Sequence, residues 1–360
     1  MEKYIPGVGI TAGSLMLKWD LLNQHIKSQN IKIEPGDTIN IFINFECILK
    51  NLINYKNIQN LINFHKQQFV IELEAAILNL IANYRMYFKK EKTIPKIYLY
   101  YSSLAFKKQQ MQTYNKFYRS YYKNQYIQNP QYRQVGEIMK NIVIPEIKLI
   151  LSYVPDCYFI ESKTFDSSII PLIVSNFSNN KNIILSSDIF DTLYMFNPNF
   201  ITIYVKRRYA HFNVISNIDE TVTSIIKDEN PFDLTLFNSE MYYKLLLSIK
   251  GSKIRNIKSA KGFGYGKFLK ILQAGMLDGV ILKDFESIDS IIEMFPIKYR
   301  SDIKCSFQCV DLNTQFELLS ETDIDEIKNQ IIDQLDQSSI VSLNNKRFLD
   351  YPINLQGLLE

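Results

Sequence analysis

Hydrophobic runs without polar breaks alternate along the chain with helical periodicities. Thr38 to Phe45 is β-branched and aromatic almost throughout and predicts a buried strand. Lys96–Tyr101, Asp156–Glu161, Asn182–Ser186 and Phe200–Lys206 predict four more strands. Between the first two lies a stretch with Leu73, Ile77, Leu80 and Ile81 on one face, so a helix is expected over Phe69–Phe88. Phe165–Phe177 predicts a helix between the third and fourth strands, and 105–150 is basic, Tyr-rich and helical in part. Apolar strands that alternate with helices imply an α/β fold, a mostly parallel central sheet flanked by helices on both faces.

The flanking regions read differently. Residues 1–37 form an N-terminal extension: Pro6-Gly7-Val8-Gly9 is turn-rich, Ser14–His25 carries a helical pattern, and Pro35-Gly36-Asp37 breaks the chain. The α/β domain is assigned to 38–230. After Asn230-Pro231 a helical module runs over 231–300, with a helix expected at Ser287–Phe295. The tail, 301–360, predicts a late strand at Cys305–Val310. It also predicts an acidic amphipathic helix at Ser320–Leu335, with Ile324, Ile327, Ile331 and Leu335 inward.

At 360 residues the chain can bury a sizeable core, and 46% hydrophobic against 22% charged residues excludes disorder. Net charge is only +4, so the balance as a whole does not point to nucleic acid. The distribution says more. Lys244 to Lys270 holds eight basic residues and no acidic one, whereas Glu317–Asp336 is dominated by acids. A basic stretch is the footprint of a phosphate-backbone binder or an ordinary solvated face, and charge alone does not separate the two.

Of the four cysteines only Cys305 and Cys309 are close, and His25, His65 and His211 are scattered. That excludes a zinc site of four convergent ligands and leaves free thiols in a reducing compartment as the expectation. No secretion signal and no membrane span is expected.

The most specific stretch is Lys250-Gly-Ser-Lys-Ile-Arg-Asn-Ile, followed by Gly262-Phe-Gly264-Tyr-Gly266-Lys267 and a helix. It resembles the helix–loop–helix core (helix-hairpin-helix) of the 5′–3′ exonuclease and flap endonuclease family, which is PIN-like in fold. That family reads Gly-Asp-x-Ser-Asp-Asn-Ile-Pro before a Gly-x-Gly-x-Lys turn. Here the spacing survives, but Ser252 and Arg255 replace the two aspartates.

The other family motifs recur in order over about 38–296, with their acids thinned. Asn44 stands where the first strand ends in Asp, and Glu46 follows. Tyr101 or Ser102 stands where the second strand ends in Asp. Phe106-Lys107-Lys108, Tyr114-Asn115-Lys116 and Arg119 match the basic arch beyond it. Glu161 and Asp166 replace the Glu-Ala-Asp-Asp motif at the wrong spacing, and Asp166 also reads as a helix cap. Ser186-Ser187-Asp188 with Asp191 matches the fourth motif, with the second acid displaced by one position.

In the family, carboxylates at the strand ends hold two divalent ions that clamp the scissile phosphate and activate water. The resemblance therefore implies a degenerate member: no catalytic residue, no metal ligand and no cofactor, in a DNA-binding or structural role, with a phage virion component as one form of it. DNA contacts are expected at Lys107, Lys108, Lys116, Arg119, Lys253, Arg255, Gly262, Gly264, Gly266 and Lys267. Protein partners in a larger assembly are the other expectation, in the host cytoplasm or a virion. The competing expectation is an active nuclease using Mg²⁺ or Mn²⁺. Its catalytic acids would be Glu161, Asp166, Asp188 and Asp191, and its metal ligands Glu46, Glu161, Asp166 and Asp188.

Overall fold

A computed structural model of the chain describes residues 33–45, 58–90, 92–102, 137–152, 154–186, 188–205, 212–213, 239–251, 257, 259–260, 262–264, 266–268, 270–271 and 288–336. The expected helix at 14–25, Glu46, the basic arch, Ser252, Lys253 and Arg255 lie outside these residues.

The elements run β1 (Thr38–Asn44), α1 (Ile58–Lys90), β2 (Ile94–Ser102), α2 (Ile144–Leu151), β3 (Cys157–Ser162), α3 (Ile170–Ser175), β4 (Lys181–Ser186), β5 (Phe200–Val205) and β6 (Phe212–Asn213). There follow α4 (Ser239–Lys250), α5 (Ile288–Ile292), α6 (Ile297–Val310), α7 (Leu312–Glu317) and α8 (Glu321–Asp336). The sheet order is β3-β2-β1-β4-β5-β6. The first five strands are parallel, and β6 adds a two-residue antiparallel edge.

Strand alternation sorts the core into two layers. Ile39, Ile41, Ile43, Ile97, Leu99, Phe159, Ile183 and Leu185 face α1 and α2. The inward face of α1 includes Leu73, Ile77, Leu80 and Ile81, as the periodicity requires. On the opposite face Phe42, Tyr98 and Tyr158 stack across three strands, with ring centroids 5.1 and 4.8 Å apart. They lie against the layer of α3, α4 and the C-terminal helices. The strands are buried on both sides, which explains their near-continuous apolar sequences.

Two expectations change. Cys305–Val310 is not a strand but the last part of α6. Ile303, Ser306, Phe307 and Val310 are its buried positions, spaced three and four apart. A six-residue stretch that alternates apolar and polar is too short to show the helical period unless the preceding turn is counted with it. The helix expected over Phe165–Phe177 is shorter: a 3₁₀ turn, Ser167–Ile169, leads into α3 alone. Among the thiols, Cys157 is buried beside Arg85, and burial pushes it up to about 11, which makes it an unreactive core residue.

Candidate functional site

The strand order reverses beside β1: β2 and β3 lie to one side, β4 and β5 to the other. In open parallel sheets the crevice at the carboxyl ends of the strands flanking such a reversal is the natural ligand site. Here those ends are Asn44 of β1 and Ser186 of β4.

Alternation places Asn44, Ser102, Ser162 and Ser186 on the same face of the sheet, at the tips of four strands. All four are buried, and none carries a charge. Ser102, rather than Tyr101, therefore occupies the place of the second-strand aspartate, because Tyr101 points into the opposite core layer. Ser102 is turned onto Ser167: its Oγ donates to Ser167 Oγ at 2.9 Å and accepts from Ser167 N at 2.9 Å.

Among the described residues, the carboxyl group hydrogen-bonded to the side chains of this row is that of Asp191. Asp191, on the 3₁₀ segment Ile189–Phe196 after β4, is fully buried. Its Oδ2 accepts hydrogen bonds from Asn44 Nδ2 at 2.9 Å, from Tyr100 OH at 3.1 Å and from Ser186 Oγ. Those donors come from β1, β2 and β4, so a single carboxyl oxygen ties together three strand ends. Tyr100 has no counterpart among the sequence motifs. The signal that finds it is its register partner Asn44, directly across the β1–β2 ladder.

The remaining acids do other work. Asp188, buried, caps the same 3₁₀ segment: its Oδ1 accepts from Phe190 N at 3.1 Å, and its own N–H donates to Ser186 Oγ at 2.9 Å. Asp166 caps the turn before α3, accepting from Ser168 N at 2.9 Å. Glu161 points to the other face of the sheet and pairs with Lys148 of α2. The structure thus brings Asp191 onto the strand-tip row, engages Asp188 and Asp166 in capping beside it, and turns Glu161 to the other face of the sheet.

A two-ion clamp needs several carboxylate oxygens with lone pairs aimed at the metals. Among the described residues no three of His, Cys, Asp and Glu come together in that way. The Asp191 oxygen that faces the row is already saturated by neutral donors. The described donor set does not fit two divalent ions.

The glycine turn lies in the helical module. Gly262 has φ +80°, a left-handed conformation that a side chain would strain. Phe263 and Phe268 are buried and anchor the turn, with Phe268 stacked on Tyr242 of α4 at 5.6 Å. Gly264, Gly266 and Lys267 stay at the surface, and Lys267 Nζ folds back to donate to Gly262 O at 3.0 Å. A separate cavity of 260 Å³ opens beside Asn197–Asn199, at the amino end of β5. Its charged groups, Glu240, Lys244 and Asp311, pair with one another.

Comparison with solved structures places this architecture. An Asp-to-Lys pseudo-enzyme form of the bacteriophage T5 D15 flap endonuclease, crystallised with product DNA and metal ions, superposes with a TM-score of 0.50 at 11% identity. The match covers 83% of this chain and 99% of that one. The T5 D15 protein co-crystallised with metal ions gives a TM-score of 0.51 at 11% identity, over 84% and 100%. The chain has a flap endonuclease-like fold. No protein-family model and no curated protein matches its sequence. No helix among the described residues is long and apolar enough to cross a membrane.

Proposed function

We propose that this protein is a non-catalytic relative of the flap endonucleases that binds DNA or serves as a structural component of a larger assembly, with a phage virion as one setting. The observation that carries this reading is the Asn44–Tyr100–Ser186 cradle on Asp191. Amide and hydroxyl donors stand at the strand tips, and a carboxyl group that would face a metal faces them instead. That arrangement stabilises the strand ends in the absence of an ion, and it supplies too little negative charge to hold two.

DNA contact is assigned to the surface of the glycine turn. Gly264 and Gly266 let backbone approach a phosphate, and Lys267 adds an exposed cation. The solved T5 structure contains DNA, which makes the same partner reasonable here. Lys253 and Arg255 precede this turn in the basic stretch of the sequence and are assigned to the same contact.

The test pairs two measurements on the full chain. In a mobility-shift titration on flap DNA, binding should weaken steeply with salt, and Lys267→Ala should lower the logarithmic salt slope by about one. In the same buffer with Mg²⁺ or Mn²⁺, labelled flap DNA should remain uncut. Cleavage abolished by Asp188→Ala would establish the competing reading, an active nuclease with a rearranged acidic site. Absence of binding even at low salt would leave the structural role alone.

A further inference from the structure

The 260 Å³ cavity at the amino end of β5 is walled by four parts of the chain. They are α3, the end of the 3₁₀ segment with the turn to Asn199, the start of α4, and the junction of α6 with α7. It lies at the seam between the α/β layer and the helical module, and it shares no residue with the strand-tip row or the glycine turn.

Lys244 is the buried cation of this wall, 8% exposed. Its Nζ lies 2.7 Å from Glu240 Oε1, one turn earlier on α4, and 2.5 Å from Asp311 Oδ1 at the α6–α7 junction. Burial opposes the Lys244 charge, yet the hydrogen bonds to Asp311 and Glu240 prevail and hold its pKa above the ordinary lysine value. Burial alone would raise the Asp311 carboxyl, but Lys244 and the Thr314 hydroxyl, which donates to Asp311 Oδ2 at 2.6 Å, hold it below the usual range. One cation therefore stands against two carboxylates, which leaves a surplus of one negative charge in a recess.

Glu240 carries that surplus toward solvent. Its side chain is 40% exposed, and among the described residues its second oxygen has no partner. The side-chain amides of Asn199 and Asn313, both exposed, line the same opening. Leu172, Leu193, Phe196 and Leu312 form the apolar part of the wall.

Each feature narrows the occupant. An anion such as a phosphate meets the surplus negative charge, and Lys244 is already paired with two carboxylates. A neutral apolar group would cover the Glu240 oxygen and leave it without a hydrogen bond. A cation offsets the charge. An ammonium is compact and strongly hydrated, whereas a guanidinium is planar, weakly hydrated, rich in N–H donors and able to lie on an aromatic face. Size agrees: pockets for drug-sized ligands begin at about 300 Å³, so this smaller one suits a single side chain. Arginine is among the residues that fill such pockets at protein interfaces.

We propose that this cavity is a docking pocket for an arginine side chain of a partner protein. The guanidinium meets Glu240 and the amide oxygens of Asn199 and Asn313, and its methylenes lie along the leucines. The pocket gives the assembly role proposed above a defined surface, and it is independent of DNA contact at the glycine turn.

The test titrates N-acetyl-arginine N-methylamide into the isotope-labelled full chain and follows backbone amide NMR shifts. Saturable shifts are expected at Glu240, Lys244 and Asn313, and none at Asn44 or Ser186. The blocked citrulline probe, neutral and of nearly the same shape, should bind at least about tenfold more weakly, the loss of one charge-assisted hydrogen bond. The blocked lysine probe should also be weaker. Glu240→Gln keeps the shape, removes the charge and should weaken the arginine probe by about the same factor. Asn313→Asp, at an exposed position, should tighten it, and it decides the matter if Glu240→Gln folds poorly. Absence of saturable shifts, equal binding of the arginine and citrulline probes, or indifference to both variants overturns the proposal. Tighter binding of free L-arginine than of the blocked probe would mark a small-molecule site and overturns it too. Flap DNA binding measured on the same sample separates this failure from failure of the DNA reading.

Discussion

The two ends of the β1–β4 pair carry similar residues put to different ends. At the amino end, Asn40 Nδ2 donates to Asn182 Oδ1 at 2.9 Å and to Ser178 Oγ at 3.1 Å, and Asn180 Nδ2 donates back to Asn40 Oδ1 at 3.1 Å. Asn182 in turn donates to the backbone oxygens of Asn180 and Asn199. Amides satisfy amides, and the network closes on itself. At the carboxyl end, Asn44, Tyr100 and Ser186 all converge on one oxygen of Asp191. Satisfying buried polar groups takes no carboxylate, as the amides and the Ser178 hydroxyl of the first end demonstrate. Convergence of three strands on an acid is therefore a feature of the site rather than of the sheet.

The sharpest way to break this comparison is Asp191→Ala. It takes the shared acceptor from three buried donors, each of which then bears a desolvation penalty, and should cost about 3–5 kcal/mol in urea unfolding. Asn44→Asp comes next. It sets a second carboxyl group within hydrogen-bonding distance of Asp191, where the two resist ionising together. A loss of about 2 kcal/mol at pH 7.5 is expected. The raised carboxyl pKa makes the loss shrink as pH falls and one group takes a proton. Millimolar Mg²⁺ should not restore the lost stability, and a thermal-melt rescue by Mg²⁺ would mean that a divalent site forms after all.

Asn40→Ala at the amino end should cost less, about 1–2 kcal/mol, because its partners retain other acceptors and donors. The smallest effect belongs to Asp37→Asn. Asp37 accepts from the Glu34 N–H and pairs with Lys181 at 2.7 Å, and these hold its carboxyl below the ordinary range. The depressed value places its contribution above about pH 3.8, with loss as pH falls through the folded value. The pair is only partly buried and open to solvent screening, so the variant should shift stability by no more than about 0.5 kcal/mol, and added salt should reduce even that.

Parts of the site were legible in the chain and parts were not. Asn44 and Ser186 are found by aligning strand ends, because strand ends follow from hydrophobic runs, whereas Tyr101 and Ser102 stayed equal until the register turned Tyr101 into the opposite core layer. The Asp166 cap was legible too, since capping is local. Glu161 was not, because its face depends on the register of β3, and one residue of slip moves a side chain across the sheet. Asp191 was placed beside Asp188 by sequence order, yet only the 3₁₀ winding of Ile189–Phe196 carries it to the strand tips. Gln330 and Gln334 read as the polar flank of an amphipathic helix, and nothing local marks them as partners of the Glu161 and Phe159 backbone at the β3 edge.

The sequence by itself determined the layered α/β architecture and the uncharged residues Asn44, Ser102 and Ser186 at the ends of their strands, because buried strands and polar termini are written in short-range composition. The tertiary structure alone decided that Asp191 gathers three strands and that α8 closes the β3 edge. Both are contacts between segments far apart in the chain, and their geometry exists only once the sheet has set the register and the helices have docked.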